Sequence, residues 1–397
     1  MKQHQILATK TKLIALAAAA SVGATALLFS SAGFAQGRSE PLSVIEISGK
    51  AVMPARFGAI VTATVAGRQF RVRSDEQGNY RMVLRLPASL RDAVVSLRAD
   101  GRRGEAAAGV SSYIGSLAQL QALAGVDAVV NGEENPRLQI SAISSAELAL
   151  VNDALGHAPK TGDELVTAVA SLDASQLIDL AATLRLMATD ASHNPLPEGV
   201  ADSADFLARR KLRAEYVKVM QTQAPDLLAA AALQLASNPE QHPAASARQL
   251  PGQLMAVQSP ARLQTSLDDD RGLVALQLNA DGSGSLRADR HFSASSWAIR
   301  NGQIAVTPVS PAQHETTAWL DTNQDGSPDA AVRELHSAVQ TRISLLGNGM
   351  ALVATQDVIS HPERPTLANE TTTSLKAVRL ISAEQYAALQ GLTVASR

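Results

Sequence analysis

The chain contains no cysteine. That excludes disulfides, thiolate zinc sites, a cysteine nucleophile and a lipid anchor on an N-terminal cysteine. Aromatic residues make up only 3%, too few for stacking platforms that hold bases or sugar rings. Neither sign of charge dominates: 35 Lys and Arg stand against 37 Asp and Glu, a net −2. Such a chain has no electrostatic pull toward nucleic acid or anionic lipid, so no nucleic-acid partner is expected. Apolar residues are plentiful. Of 397 residues, 46% are hydrophobic, enough for two or three domains rather than one core.

The N-terminus reads as an export signal. Lys2, Lys10 and Lys12 precede an apolar run from Leu13 to Phe29, and Gly33-Phe34-Ala35 places small residues at a cleavage site. The expected signal peptide is 1–35, with Gln36 as the new N-terminus. An uncleaved anchor is the alternative, because the run is at the short end of a spanning helix. No other stretch is long enough to span, so no membrane span is expected once the signal is removed. Localisation is expected to be periplasmic or extracellular, and an exported chain without cysteine suits a bacterial envelope.

From residue 36 to about 110 the pattern is short strands. Val44–Gly49, Ala59–Val65, Phe70–Arg73, Tyr80–Leu84 and Val94–Arg98 are β-branched or alternating, and the polar turn 74–79 carries Gly78. The order "ISGKAV…GAIVTATV…FRVRSDEQGNYRMVLRLP…VSLRADG", and "SDEQGNY" above all, resembles the transthyretin-like fold of carboxypeptidase regulatory-like domains. The resemblance covers about 65 residues. It implies a β-sandwich of the accessory kind, without catalysis.

Between 111 and 237 the period becomes helical. Ser144–Glu147, Thr161–Glu164 and Asp173–Gln176 look like helix starts, and further helices are expected over 202–221 and from Pro225. The basic run Arg209, Arg210, Lys211, Arg213 reads as a solvated face. Residues 238–253, rich in Pro, Ala and Gln, read as a linker.

Strands return over 254–397. Two hairpins are expected, one across Asp281–Gly284 and one across Asn301-Gly302. More strands are expected at 315–320, 330–335, 338–345, 350–356 and 375–381, with a last short helix from Ser382. The two hairpins loosely resemble the lipocalin-like small barrels of secreted bacterial proteins. The expected architecture is therefore multidomain α+β: an N-terminal β-sandwich, a central helical bundle and a C-terminal antiparallel β meander or small barrel.

The search for chemistry finds no G-x-S-x-G, S-x-x-K, H-E-x-x-H or Walker A motif. The histidines are scattered, so a zinc site would have to be assembled from distant residues. One segment stands out, Asp321-Thr322-Asn323-Gln324-Asp325-Gly326-Ser327-Pro328-Asp329. Oxygens from Asp321, Asn323 and Asp325, the Ser327 carbonyl and Asp329 have the spacing by which a curled loop surrounds calcium. The segment resembles the D-x-N-x-D-G-x-x-D calcium loops of EF-hands, dockerins and FG-GAP-type repeats. It departs from the EF-hand at its twelfth position, where Val332 replaces the bidentate Glu. A metal-free polar turn explains the same residues. Asp268-Asp269-Asp270 is a weaker candidate of the same kind.

Two functions remain open. One is an exported non-catalytic envelope or secreted protein that binds or scaffolds a protein or envelope component, with a structural calcium ion. The other is a secreted hydrolase whose site lies between the helical and C-terminal parts, using His314, Glu315, Asp321 and Asp325.

Overall fold

The computed structural model describes residues 41–52, 58–100, 109–238, 252–257, 273–288, 291–311, 313–320, 327, 330–346, 349–364 and 366–381. The expected signal segment, residues 239–251 of the expected linker, the acidic triplet 268–270 and the helix expected from Ser382 lie outside these. The chain is mixed α+β: seven α-helices and three sheets among the described residues.

The first strands are β1 (Leu42–Ala51), β2 (Ile60–Val65), β3 (Arg68–Arg73), β4 (Asn79–Pro87), β5 (Val94–Asp100) and β6 (Val110–Ser116). They are followed by α1 (Leu117–Ala124), β7 (Val129–Val130) and β8 (Gln139–Ile140). One sheet runs β4-β1-β7 with β8 also on β1; the other runs β3-β2-β5-β6. Their inward residues, among them Ile45, Ile47, Leu84, Val61, Ala63 and Leu97, alternate along the strands and share one core. The turn after β3 works as its residues suggest. Asp75 Oδ1 accepts from the amides of Gln77 and Asn79 at 2.9 and 2.8 Å. Gly78 has φ +85°, and a Cβ there would come within 2.3 Å of the Ala51 carbonyl oxygen.

The change to helix comes later than the sequence pattern places it. Residues 110–116 form β6, paired with β5, and α1, Leu138 and Ile140 also join the core of these two sheets. The boundary drawn at 110/111 thus falls inside a strand whose Ser and Gly residues disguise it.

Six helices follow: α2 (Ala142–Leu155), α3 (Gly162–Ser171), α4 (Ala174–Thr189), α5 (Ser203–Ala208), α6 (Arg210–Gln223) and α7 (Pro225–Ser237). Thr161 and Asp173 cap α3 and α4, and Pro225 opens α7, at the expected places. Two expectations are corrected. α2 is capped by Ser141, whose box partner is Ser144, so it starts a turn earlier. The single helix expected over 202–221 breaks at Arg209, where φ −90° and ψ 75° are not helical. The basic run is not one solvated face either. Arg213 is buried and bonded to the Leu207 carbonyl and Asp153, while Arg209 pairs with Asp205. No single described helix is long and apolar enough to cross a membrane; α3 and α4 pass together only as a pair bent by 97°.

The rest is one antiparallel sheet: β9 (Gly252–Val257), β10 (Leu273–Leu278), β11 (Ser283–Ala288), β12 (His291–Arg300), β13 (Gln303–Pro308), β14 (Gln313–Leu320), β15 (Ala330–Leu345), β16 (Met350–Ser360) and β17 (Glu370–Ile381). The order is β13-β12-β11-β10-β9-β17-β16-β15-β14, and β13 also pairs with β15 at Ile304↔Ile343. The sheet therefore curls back on itself. Asn301 and Gly302 both have positive φ, the geometry of a two-residue hairpin turn.

The two faces of this sheet do different work. The inner face gathers Leu276, Leu278, Ile304, Val306, Ile343, Val353 and Val378. The other face carries Met350, Leu352 and Ala377, which join the core of α2–α7. Polar side chains complete that contact. Arg379 on β17 donates to the carbonyls of Val169 and Leu172 at 3.0 and 2.6 Å, at the end of α3. Gln303 and Ser344 donate to the Ala236 carbonyl near the end of α7. Helix C-termini leave their last carbonyls short of donors; the Val169 carbonyl accepts once from the Leu172 amide at 3.3 Å, and the sheet supplies the further donors.

Candidate functional site

Where α4, α6 and α7 leave the helix-facing side of the sheet, they leave two adjoining depressions. One, about 290 Å³, is lined by α7 and by Gln303, Gln340, Arg342, Ala354, Gln356 and Thr373. The other, about 390 Å³, lies between Ile178, Asp179, Gln221, Leu228 and the β17 residues Thr373–Leu375. Leu233 and Thr373 line both, so the two form one groove.

Strand register explains the polar stripe. Gln340 stands opposite Gln356, and Gln356 opposite Thr373. Directly opposed residues share a face, so the three make a row across β15, β16 and β17. Beside it, Arg342 Nε donates to Gln340 Oε1 at 3.0 Å. Across the groove, Arg185 Nε donates to Gln234 Oε1 at 3.2 Å, and burial lowers Arg185 below the usual arginine value. At the other end burial raises the Asp179 carboxyl above the usual value, against the opposing hydrogen bond from Gln221 at 2.8 Å. Amides donate and accept at once, so this lining suits a ligand that carries both functions.

A second polar cluster sits on the inner face, at the far end of β15. Glu334 Oε2 lies 3.1 Å from His336 Nε2, and Glu334 Oε1 lies 3.6 Å from His361 Nε2. Thr316 on β14 reaches His336 Nε2 at 3.2 Å. His361 is buried, and its Nδ1 has no hydrogen-bond partner among the described residues. The histidines are scattered in sequence, but the β15–β16 register brings these two to one carboxylate. His314 is the cross-strand partner of His336 on β14.

Of the residues expected to form a calcium loop, Asp321, Asn323, Asp325 and Asp329 lie outside the described residues, and Ser327 is exposed. Glu315 pairs with Arg333 and is not among the groove residues. Neither the groove nor the Glu334 cluster was legible as a site. Each depends on which residues stand opposite one another across strands, and composition and spacing along the chain carry no such signal. Comparison with family models, with curated proteins and with solved structures finds no match for the chain.

Proposed function

We propose that this is an exported, non-catalytic binding protein of the bacterial envelope, whose groove beside α7 takes an extended peptide segment of a partner protein. The observation that carries the reading is the row Gln340–Gln356–Thr373 with Arg342 beside it. Its amide and hydroxyl groups match the alternating donors and acceptors of a peptide backbone. The export signal of residues 1–35 delivers the chain to the periplasm or beyond. The first two sheets serve as an accessory domain resembling the transthyretin-like family, the helices as a central bundle, and the curled sheet as a small barrel. Calcium held by Asp321, Asn323, Asp325, Ser327 and Asp329 ties β14 to β15.

Selection of a displayed random-peptide library on the immobilised chain tests the groove. Enriched peptides should bind the Gln340→Ala/Gln356→Ala double variant roughly thirtyfold more weakly, the sum of two ordinary hydrogen bonds of about 1 kcal/mol each. Equal binding to both proteins would contradict the reading. Cleavage of the peptides would support the hydrolase alternative, which places its site between the same two layers.

A further inference from the structure

The geometry points to a second, independent site: Glu334, His336 and His361 form a binding site for a divalent transition metal of the zinc class. The inference does not rest on the groove, which lies on the opposite face of the sheet. Two imidazoles and a carboxylate are the donor set of open zinc sites, in which a fourth position is left to water. Around tetrahedral zinc, neighbouring nitrogen and oxygen ligands stand about 3.3–3.5 Å apart. The imidazole nitrogens here stand 3.1 and 3.6 Å from the Glu334 oxygens.

The setting supports the same assignment. All three side chains are largely withdrawn from water: His361 is 4% exposed, Glu334 15% and His336 19%. His361 meets Glu334 through Nε2, the ring nitrogen that would carry the ion, and its Nδ1 is left for a hydrogen bond on the far side of the ring. The donors come from rigid places, two from β15 and one immediately after β16. Thr316 holds both Glu334 and His336 from β14. The β14–β15 register sets His314 opposite His336. Among the described residues no group of three or more such side chains is already placed to hold a metal ion; His336 meets Oε2 of Glu334 and His361 meets Oε1. Binding therefore turns the Glu334 carboxylate so that one oxygen and both Nε2 atoms share the ion. Calcium is disfavoured here, since it takes six to eight oxygen ligands and little nitrogen.

The test uses the full chain, stripped with EDTA and titrated with zinc by calorimetry in excess calcium, which occupies any oxygen-only loop. One zinc per chain is expected. His336→Ala and Glu334→Gln should each weaken it at least about tenfold, the scale seen even for residues one shell out. Zinc-edge X-ray absorption of the unmutated loaded protein gives a readout that no folding defect can confound. Two or more imidazoles in the first shell are expected. Absence of tight zinc, titrations unchanged in both variants, or a shell with fewer than two imidazoles would each overturn the proposal.

Discussion

His336 and Ile343 lie on the same face of the curled sheet, although an odd number of positions separates them along one strand. Strict alternation would put them on opposite faces. The pairing with β16 slips between Ala338 and Gln340, so Val339 is an extra, unpaired residue. This bulge swings the first half of β15 over, and Val332, Glu334 and His336 join the inner face. Deleting Val339 should reverse the swing and turn Val332, now 2% exposed, out to water. The loss is expected at about 1.5–3 kcal/mol for that side chain alone. It would be seen as a lower midpoint in urea.

Tyr80 is buried between the first two sheets, and its hydroxyl donates to the Leu138 carbonyl at 2.7 Å. Tyr80→Phe removes this buried hydrogen bond and should cost about 0.5–1.5 kcal/mol. Burial also raises the phenol well above its ordinary value, as it does for Tyr113 and Tyr216. A group raised on folding gives its stability in full below the unfolded value and loses it above. Stability should therefore fall as the pH climbs past about 10. Absorbance of tyrosinate should rise together with unfolding rather than ahead of it.

Arg379 spans two layers. Burial lowers it below the usual arginine value, with Glu147 and Asp173 opposing, and its Nη2 holds both α3 carbonyls. Arg379→Met keeps the apolar stem and removes the donors. Destabilisation of about 1–3 kcal/mol is expected by chemical denaturation.

The acidic loop gives a prediction of its own. Three carboxylates within 321–329 repel one another unless a cation joins them. Free calcium at 100 times its dissociation constant should add about 2.7 kcal/mol. The melting temperature should rise in millimolar calcium, and Asp325→Ala should abolish the rise. Equal melting curves in calcium and EDTA would make the loop a plain turn.

Much of the fold could be read from the sequence, because its signals are local. Thr161, Asp173 and Pro225 announce their helices, and Asn301-Gly302 announces its hairpin. The two strands expected at 330–335 and 338–345 are one strand, β15, whose pairing with β16 slips between Ala338 and Gln340. What escaped was non-local. β6 is a strand of "VSSYIGS" only because β5 lies beside it. Arg213 looks like a surface cation until Asp153 and the Leu207 carbonyl meet it. The groove and the Glu334 cluster depend on register between strands, and register is set by the whole sheet.

Hydrogen–deuterium exchange of the full chain, with and without a peptide selected on it, tests the binding reading most directly. Protection is expected in α7 and in β15–β17 around Gln340, Gln356 and Thr373, with β1–β5 unchanged. Protection confined to other elements, or hydrolysis of the peptide during the measurement, would contradict a non-catalytic protein that binds through this groove.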